Sequence, residues 1–239
     1  MSQKSKKNQK YALLVAGGSG LRMQSDIPKQ FMELCGLPVL MHTIRLFRSY
    51  DADIPILVVL PALQISQWEQ LCSHYCFSTP HQIVAGGETR FHSVKNGLAT
   101  LPAEGWVAIH DGVRPLTSHA TISACFRDAE RYGNAIPSIS VVDTVRETTG
   151  DNSHALNRYR LRLIQTPQVF DLALIQEAYR QDFFPEFTDD ASVLEKAGHI
   201  IHLTEGNREN IKITTPLDMK VAEAVMTRQE NYFLNNCAI

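Results

Sequence analysis

Apolar runs of strand length alternate with helix-period segments along nearly all of this 239-residue chain, and that alternation restricts the fold more than any other feature. Strands are expected at 11–16, 56–60, 82–85, 106–110, 135–142, 199–203 and 211–213. Helices are expected at 39–49, 65–76, 89–101, 121–132, 172–180, 191–197 and 216–229. In the segment 89–101, Phe91, Val94, Leu98 and Leu101 share one helical face. Thr215 before Pro216 reads as an N-cap followed by proline at the first helical position, and Gly198 reads as a helix stop. Neighbouring parallel strands need a long crossover, which a helix supplies. The order therefore predicts an α/β fold with a mostly parallel central sheet and helices on both faces.

One segment breaks the alternation. Residues 144–148 alternate, Gly150-Asp151-Asn152 supplies a turn, and 155–165 alternates again. Residues 143–165 thus read as a β-hairpin arm leaving the body of a single domain that spans 1–239. A lone hairpin is marginal in water, so the arm calls for a partner surface, which a second copy in a homodimer would supply.

A strand that breaks into Gly17-Gly18-Ser19-Gly20 presents backbone N–H groups with no side chains in the way, which suits a polyphosphate. Arg22 and Lys29 add two positive charges a short loop apart. Neither a Walker A loop nor the dinucleotide fingerprint fits, because Leu21 and Met23 stand where those motifs need Lys and Gly or Ala. A second strand ends in His110-Asp111-Gly112-Val113-Arg114, where a carboxylate can hold Mg²⁺ or simply pair with Arg114. A third breaks into Gly86-Gly87-Glu88-Thr89-Arg90 and enters a helix. Thr89 or Glu88 would cap it, Arg90 in its first turn opposes the helix dipole and so calls for an anion or an acidic partner, and Ser93 could bond a base. On an extended arm, Arg158, Arg160 and Arg162 would share one face. Lys212 precedes the last helix and could reach a phosphate.

Composition removes several alternatives. A net charge of −2 offers no basic face for a nucleic-acid polymer or an anionic membrane. Cysteines 35, 72, 76, 125 and 237 are too scattered for a disulfide framework or a zinc site, and are expected at buried apolar positions in a reducing cytosol. Residues 1–10 are polar and Lys-rich, so no signal peptide is expected, and no run approaches the ~18 apolar residues of a membrane span. A cytoplasmic location follows.

Taken in order, Ala-Gly-Gly-Ser-Gly-Leu-Arg-Met, Pro-Lys-Gln, Gly-Gly-Glu-Thr-Arg-x-x-Ser-Val, His-Asp-Gly-Val-Arg-Pro, Thr-Pro-Gln, Thr-Asp-Asp-Ala-Ser and Asn-Ile-Lys-Ile-Thr resemble the 2-C-methyl-D-erythritol 4-phosphate cytidylyltransferases. The resemblance runs from Tyr11 to about Val225 and implies a Rossmann-like nucleotidyltransferase fold. It also implies CTP and a small sugar-alcohol phosphate as substrates, Mg²⁺ or another divalent cation as cofactor, and a dimerisation arm. By the same resemblance Arg22, Lys29, Arg158 and Lys212 are catalytic. Ala16, Gly17, Gly18, Ser19, Gly20, Gly87, Glu88, Arg90, Ser93, Asp111 and Gly112 line the nucleotide site. Asp111, Arg114, Thr144, Arg158, Thr166, Thr188 and Lys212 line the acceptor site, with Asp111 also the metal ligand. Val15, Gly17 and Gly112-Val113 depart from many members, and the sister ribitol-5-phosphate cytidylyltransferases, which also carry Ala-Gly-Gly-x-Gly-x-Arg-Met and a Val before the Arg-Pro, stand as the alternative. A non-catalytic nucleotide-binding regulator on the same fold is the alternative from another class.

Overall fold

A computed structural model describes residues 8–17 and 27–236. In chain order the elements are β1 (Lys10–Val15), β2 (Glu33–Leu34), β3 (Leu37–Pro38), α1 (Val39–Tyr50), β4 (Ile56–Leu60), α2 (Ile65–His74), β5 (Gln82–Ala85), α3 (Arg90–Ala99) and β6 (Trp106–Asp111). There follow α4 (His119–Tyr132), β7 (Asn134–Ser140), β8 (Arg146–Thr149), β9 (Asn152–Ala155), β10 (Arg162–Ile164) and β11 (Gln168–Asp171). The chain ends with α5 (Leu172–Ala178), α6 (Asp190–Lys196), β12 (Leu203–Glu205) and α7 (Pro216–Asn236). One eight-stranded sheet runs β10-β7-β11-β6-β1-β4-β5, with β12 also on β7. The β1–β4, β1–β6, β4–β5 and β7–β12 pairs are parallel. The β7–β10, β6–β11 and β7–β11 pairs are antiparallel, so the sheet is mixed, with the mostly parallel central strands that the alternation predicts and the Rossmann-like form that the resemblance implies.

Alternation along β1 builds two cores. Ala12, Leu14 and Ala16 pack with Met41, Ile44 and Phe47 of α1, Trp68 of α2 and Phe126 of α4. Leu13 and Val15 pack on the other face with Phe91, Val94 and Leu98 of α3 and Ile175 of α5. A central strand buried on both faces must be apolar throughout, which is why 11–16 carries no alternation of its own.

The helix ends follow local chemistry. Thr89 accepts from the His92 N–H, Ser118 from Thr121 and Asp189 from Ser192. Gly198, at φ 90°, follows α6 in the left-handed conformation that glycine adopts without strain. The Thr215 hydroxyl accepts from the Asp218 N–H, as the capping reading expects.

Several expectations are corrected. Residues 211–213 form no strand: Ile213 donates a single backbone bond to Val113, and its side chain packs in the cluster beneath α7. The strand expected at 199–203 begins only at Leu203, because the Asn134 side chain bonds the Ile200 carbonyl and the His202 N–H where a ladder would otherwise form. The strand β11 has no counterpart among the expected strands. It is four residues long, lies antiparallel between β6 and β7, and is too short for a period to show.

The arm is also shorter than expected. β8 and β9 form an exposed hairpin, but Asn157 caps a 3-10 turn at Arg158–Arg160, and β10 then returns to the sheet on β7. Arg158, Arg160 and Arg162 therefore share no strand face, and Arg162 instead pairs with Glu205. Of the cysteines, Cys125 is buried, Cys72 is half-buried, and Cys35 and Cys76 are exposed. The last two sit in turns at φ 47°, where chain reversal overrides the apolar preference for burial. Cys237 lies outside the described residues.

Trp68 ties the core to the turn that carries Lys29. Its ring is 1% exposed, stacks on Phe31 at 5.8 Å, and donates its Nε1–H to His81. We expect Trp68→Ala to lower the unfolding free energy by about 3–5 kcal/mol, read from urea denaturation, as loss of a large buried ring does elsewhere. A change below about 1 kcal/mol would show that the contact is dispensable.

Candidate active site

The carboxyl ends of β1, β5 and β6 open onto one cavity of about 280 Å³. Ligands sit at such strand ends in open α/β sheets because the loops there are released from the sheet's hydrogen bonding. Ala16 and Gly17 just after β1, Lys29, Gly87 and Glu88 from the β5–α3 turn, Arg90 and Ser93 from α3, Asp111 from β6, and Lys212 all line it. A second cavity of about 250 Å³ shares Arg90, Asp111 and Lys212, and adds Arg114, Thr166, Thr188 and Asp189. The expected nucleotide and acceptor sets thus fall largely on two adjoining hollows. Gly18, Ser19, Gly20 and Arg22 lie outside the described residues.

Glycine at 86 and 87 answers a steric demand. A Cβ on Gly86 would lie 2.8 Å from the Ser93 Oγ, and one on Gly87 would lie 2.5 Å from the His92 Cβ. The Ser93 hydroxyl accepts from the Gly87 N–H at 3.1 Å, so it shapes the loop from within the cavity wall. Gly112 lines neither cavity. Its carbonyl accepts from Thr43, and a Cβ there would lie 2.9 Å from that of Ala16.

Asp111 is the electrostatic centre. Its Oδ2 accepts from Arg114 Nε at 2.9 Å and lies 3.3 Å from Lys212 Nζ. Burial by itself would raise its pKa, but Lys212, Arg90 and Arg114 together outweigh burial and hold the carboxyl well below the usual range. Behind it, the Asp111 N–H donates to Thr166 Oγ1 at 3.1 Å, and that hydroxyl lies 2.9 Å from His110 Nδ1. His110 Nε2 lies 3.0 Å from the Arg114 carbonyl. A carbonyl can only accept, so Nε2 carries the proton and Nδ1 accepts from Thr166. Burial pushes the His110 pKa down to about 4, so the ring is neutral near pH 7.

The sequence reading missed the residues that aim these groups. Buried Asn210 donates to the Thr166 carbonyl and accepts from Thr117, while its own carbonyl accepts from Arg114. Buried Gln30 donates to the Ala16 carbonyl at 2.9 Å and so pins the Lys29 turn to β1. Both stand inside recognised motifs, and nothing in a motif tells a ligand contact from a brace. Thr144 and Arg158 line neither cavity. Thr144 is exposed, and Arg158 donates to the Val142 carbonyl beside the Tyr159 ring.

The sequence matches the family model for 2-C-methyl-D-erythritol 4-phosphate cytidylyltransferase, IspD, over residues 11–228. The chain belongs to this family. A Bacteroides thetaiotaomicron relative of that name is 53% identical over 90% of this chain and 98% of its own length. A Porphyromonas gingivalis relative (strain ATCC 33277) is 49% identical over 92% and 99%. Among solved structures, 4-diphosphocytidyl-2C-methyl-D-erythritol synthase from Anaerococcus prevotii superposes with a TM-score of 0.77 at 27% identity, covering 92% of this chain and 99% of that one. The Thermus thermophilus cytidylyltransferase gives 0.70 at 28% identity, covering 90% and 98%. These likenesses make the chain a nucleotidyltransferase of the cytidylyl-transferring kind.

Acid should destabilise this site from a definite pH downward. His110 has a folded pKa of about 4 against an ordinary 6.5, so between those values the unfolded chain binds the extra proton. Stability is therefore complete above about pH 6.5 and falls with pH, the slope approaching about 1.4 kcal/mol per pH unit. Asp111, whose folded pKa is depressed, adds its own loss only below its ordinary 3.8. Denaturant titrations across this range should show the fall, and His110→Asn should flatten it. An equal slope in both proteins would refute the assignment.

Proposed function

We propose that this chain transfers a cytidylyl group from CTP to 2-C-methyl-D-erythritol 4-phosphate, releasing pyrophosphate and forming 4-diphosphocytidyl-2-C-methyl-D-erythritol, a step of non-mevalonate isoprenoid synthesis. The observation that carries this reading is the pair of adjoining cavities meeting at Asp111 and Lys212, in a chain of this family. One hollow suits a nucleoside triphosphate and the other a small phosphorylated polyol.

The acceptor phosphate is already an anion, so the protein needs no strong general base. It must bring two anions together and stabilise the charge that builds at the α-phosphate. Arg22, Lys29 and the Gly-rich loop 16–20 do this for CTP. Lys212 and Arg114 draw the acceptor phosphate toward the shared edge, where Lys212 faces both cavities. Gly87, Glu88 and Ser93 enclose the cytidine, and Thr166 and Thr188 line the polyol.

The donor set suits Mg²⁺ in one way. Among the described residues, no three His, Cys, Asp or Glu side chains converge. A single hard carboxylate, Asp111, stands at a phosphate site, and Mg²⁺ is commonly held by one or two carboxylates plus substrate phosphates. Arg114 and Lys212 both meet Oδ2 of Asp111, the residue that would hold the metal. Bound there, Mg²⁺ would neutralise phosphate charge.

We expect pyrophosphate release with CTP and 2-C-methyl-D-erythritol 4-phosphate to exceed that with D-ribitol 5-phosphate by at least about a hundredfold, as a pocket built to bond one polyol allows. Lys29→Ala should cut turnover about 10²–10³-fold with little change in melting temperature. A reversed acceptor preference would make the chain a ribitol phosphate enzyme, and CTP binding with neither product would make it a regulator.

The reading extends to a cytoplasmic homodimer whose arm completes the neighbour's acceptor site. Among the described residues no helix is long and apolar enough to cross a membrane. The exposed hairpin and the apolar residues Val142, Tyr159, Leu163 and Ile164 beside it support a dimer surface. Arg158 and Thr144 line neither cavity of their own chain, which suits a role across the interface. Mixing inactive Lys29→Ala and Arg158→Ala chains should then restore activity, because one site of each heterodimer carries neither defect. Proven heterodimers without recovery would remove the shared site.

A further inference from the structure

Arg90 lines both cavities, yet its charge is already committed. Its two terminal nitrogens meet the two oxygens of Asp190 at 2.8 and 2.6 Å, the bidentate fork that arginine forms with a carboxylate. The Asp190 side chain is 0% exposed, and its Oδ1 also accepts from the Tyr179 hydroxyl at 2.6 Å. The Tyr179 ring stacks on Phe91 at 4.8 Å, the residue after Arg90. The start of α3 is thereby fastened twice to the α5–α6 unit.

A continuous run of bonds leads from there to the acceptor wall. Asp190 opens α6, and its neighbour Asp189 caps that helix and accepts from Gln168 Nε2 at 2.7 Å. Gln168 also accepts from the Ala191 N–H and follows Thr166-Pro167 in the chain. Thr188, Asp189, Gln168 and Thr166 all line the second cavity. Moving Arg90 relative to Asp190 would move the nucleotide turn relative to this wall.

We propose that the Arg90–Asp190 fork, with Tyr179 beside it, is a strut that sets the spacing between the nucleotide turn and the acceptor wall. Arg90 is thus a positioning residue, its guanidinium held by Asp190, with the Asp111 carboxylate also in its field, and not by a phosphate. This rests on the cytidylyl-transfer reading and specifies one part of it. In-line transfer needs the two phosphates within near-attack distance, where a misplacement of about 1 Å can cost 10²-fold.

The experiment uses the full chain with Arg90→Lys and Asp190→Asn. Lysine keeps the charge and loses the fork; asparagine keeps the shape and loses the charge. CTP affinity is measured by calorimetry without acceptor, acceptor KM and kcat by pyrophosphate release, and folding by melting temperature. Wild-type turnover is recorded first, so a failure of the functional reading appears there and not in the variants. We expect both variants to raise acceptor KM and lower kcat, with kcat/KM for the acceptor down about 10–100-fold and CTP affinity changed less than about threefold. Weakened CTP binding with unchanged acceptor KM would make Arg90 a direct nucleotide contact and overturn the strut. A lowered melting temperature with both substrates handled normally would reduce the pair to fold support and overturn it as well. If Arg90→Lys does not fold, Asp190→Asn decides between the same outcomes.

Discussion

A carboxylate buried among cations governs this molecule. Asp111 ends a strand whose other residues are almost all apolar, and it keeps its charge there because Arg114 and Lys212 meet the same oxygen and Arg90 stands nearby. Removing any partner would leave a buried charge poorly compensated, which costs far more than the pair contributes when intact. The surrounding structure is arranged to prevent that. Asn210 holds Arg114 through its carbonyl, the neutral His110 ring braces the Arg114 backbone, and Thr166 bonds His110 and the Asp111 N–H together.

The same constraint explains why residues far apart in sequence are joined by so many side-chain bonds to backbone. The segment 207–212 has no ladder of its own. It is held by Asn207 to the Leu116 carbonyl and the Ser118 N–H, and by Asn210 to Thr117 and Thr166. A loop that places Lys212 at both cavities is held without secondary structure, and side-chain amides supply that rigidity because each can donate and accept at once. In the first cavity Gln30 does the same for the Lys29 turn, and Ser93 does it for Gly87. Preorganisation of this kind is what charge stabilisation in a transition state requires, since groups already in place need no rearrangement as charge develops.

How far the sequence could be read depended on whether a signal was local. The strands 56–60 and 82–85 and the helix cap at Thr215 are short-range facts legible from residue types alone, whereas the cap of α3 stood open between Glu88 and Thr89 until the fold chose Thr89. The strand β11 is not legible in this way, because four residues after a proline show no period. The end of the arm departs from its pattern for a related reason. Leu161 and Leu163 alternate with arginines as a hairpin strand would, yet Asn157 starts a 3-10 turn and β7 offers 162–164 a better partner than β8. Alternation announces that a segment is extended; it does not say which strand it joins.

By itself the sequence determined the α/β class, the places where strands break into glycine, and the set of charged residues available at those breaks. Strand and helix preferences are written in each residue's own geometry, and glycine's lack of a Cβ is a property of the residue alone. Tertiary structure decided which charges neutralise one another. Arg90 could have met an anion or a carboxylate, and the fold placed it on Asp190, one hundred residues away. It likewise brought Lys212 and Arg114 to a single oxygen of Asp111. Electrostatic pairing depends on distance and burial, and neither exists until the chain has folded.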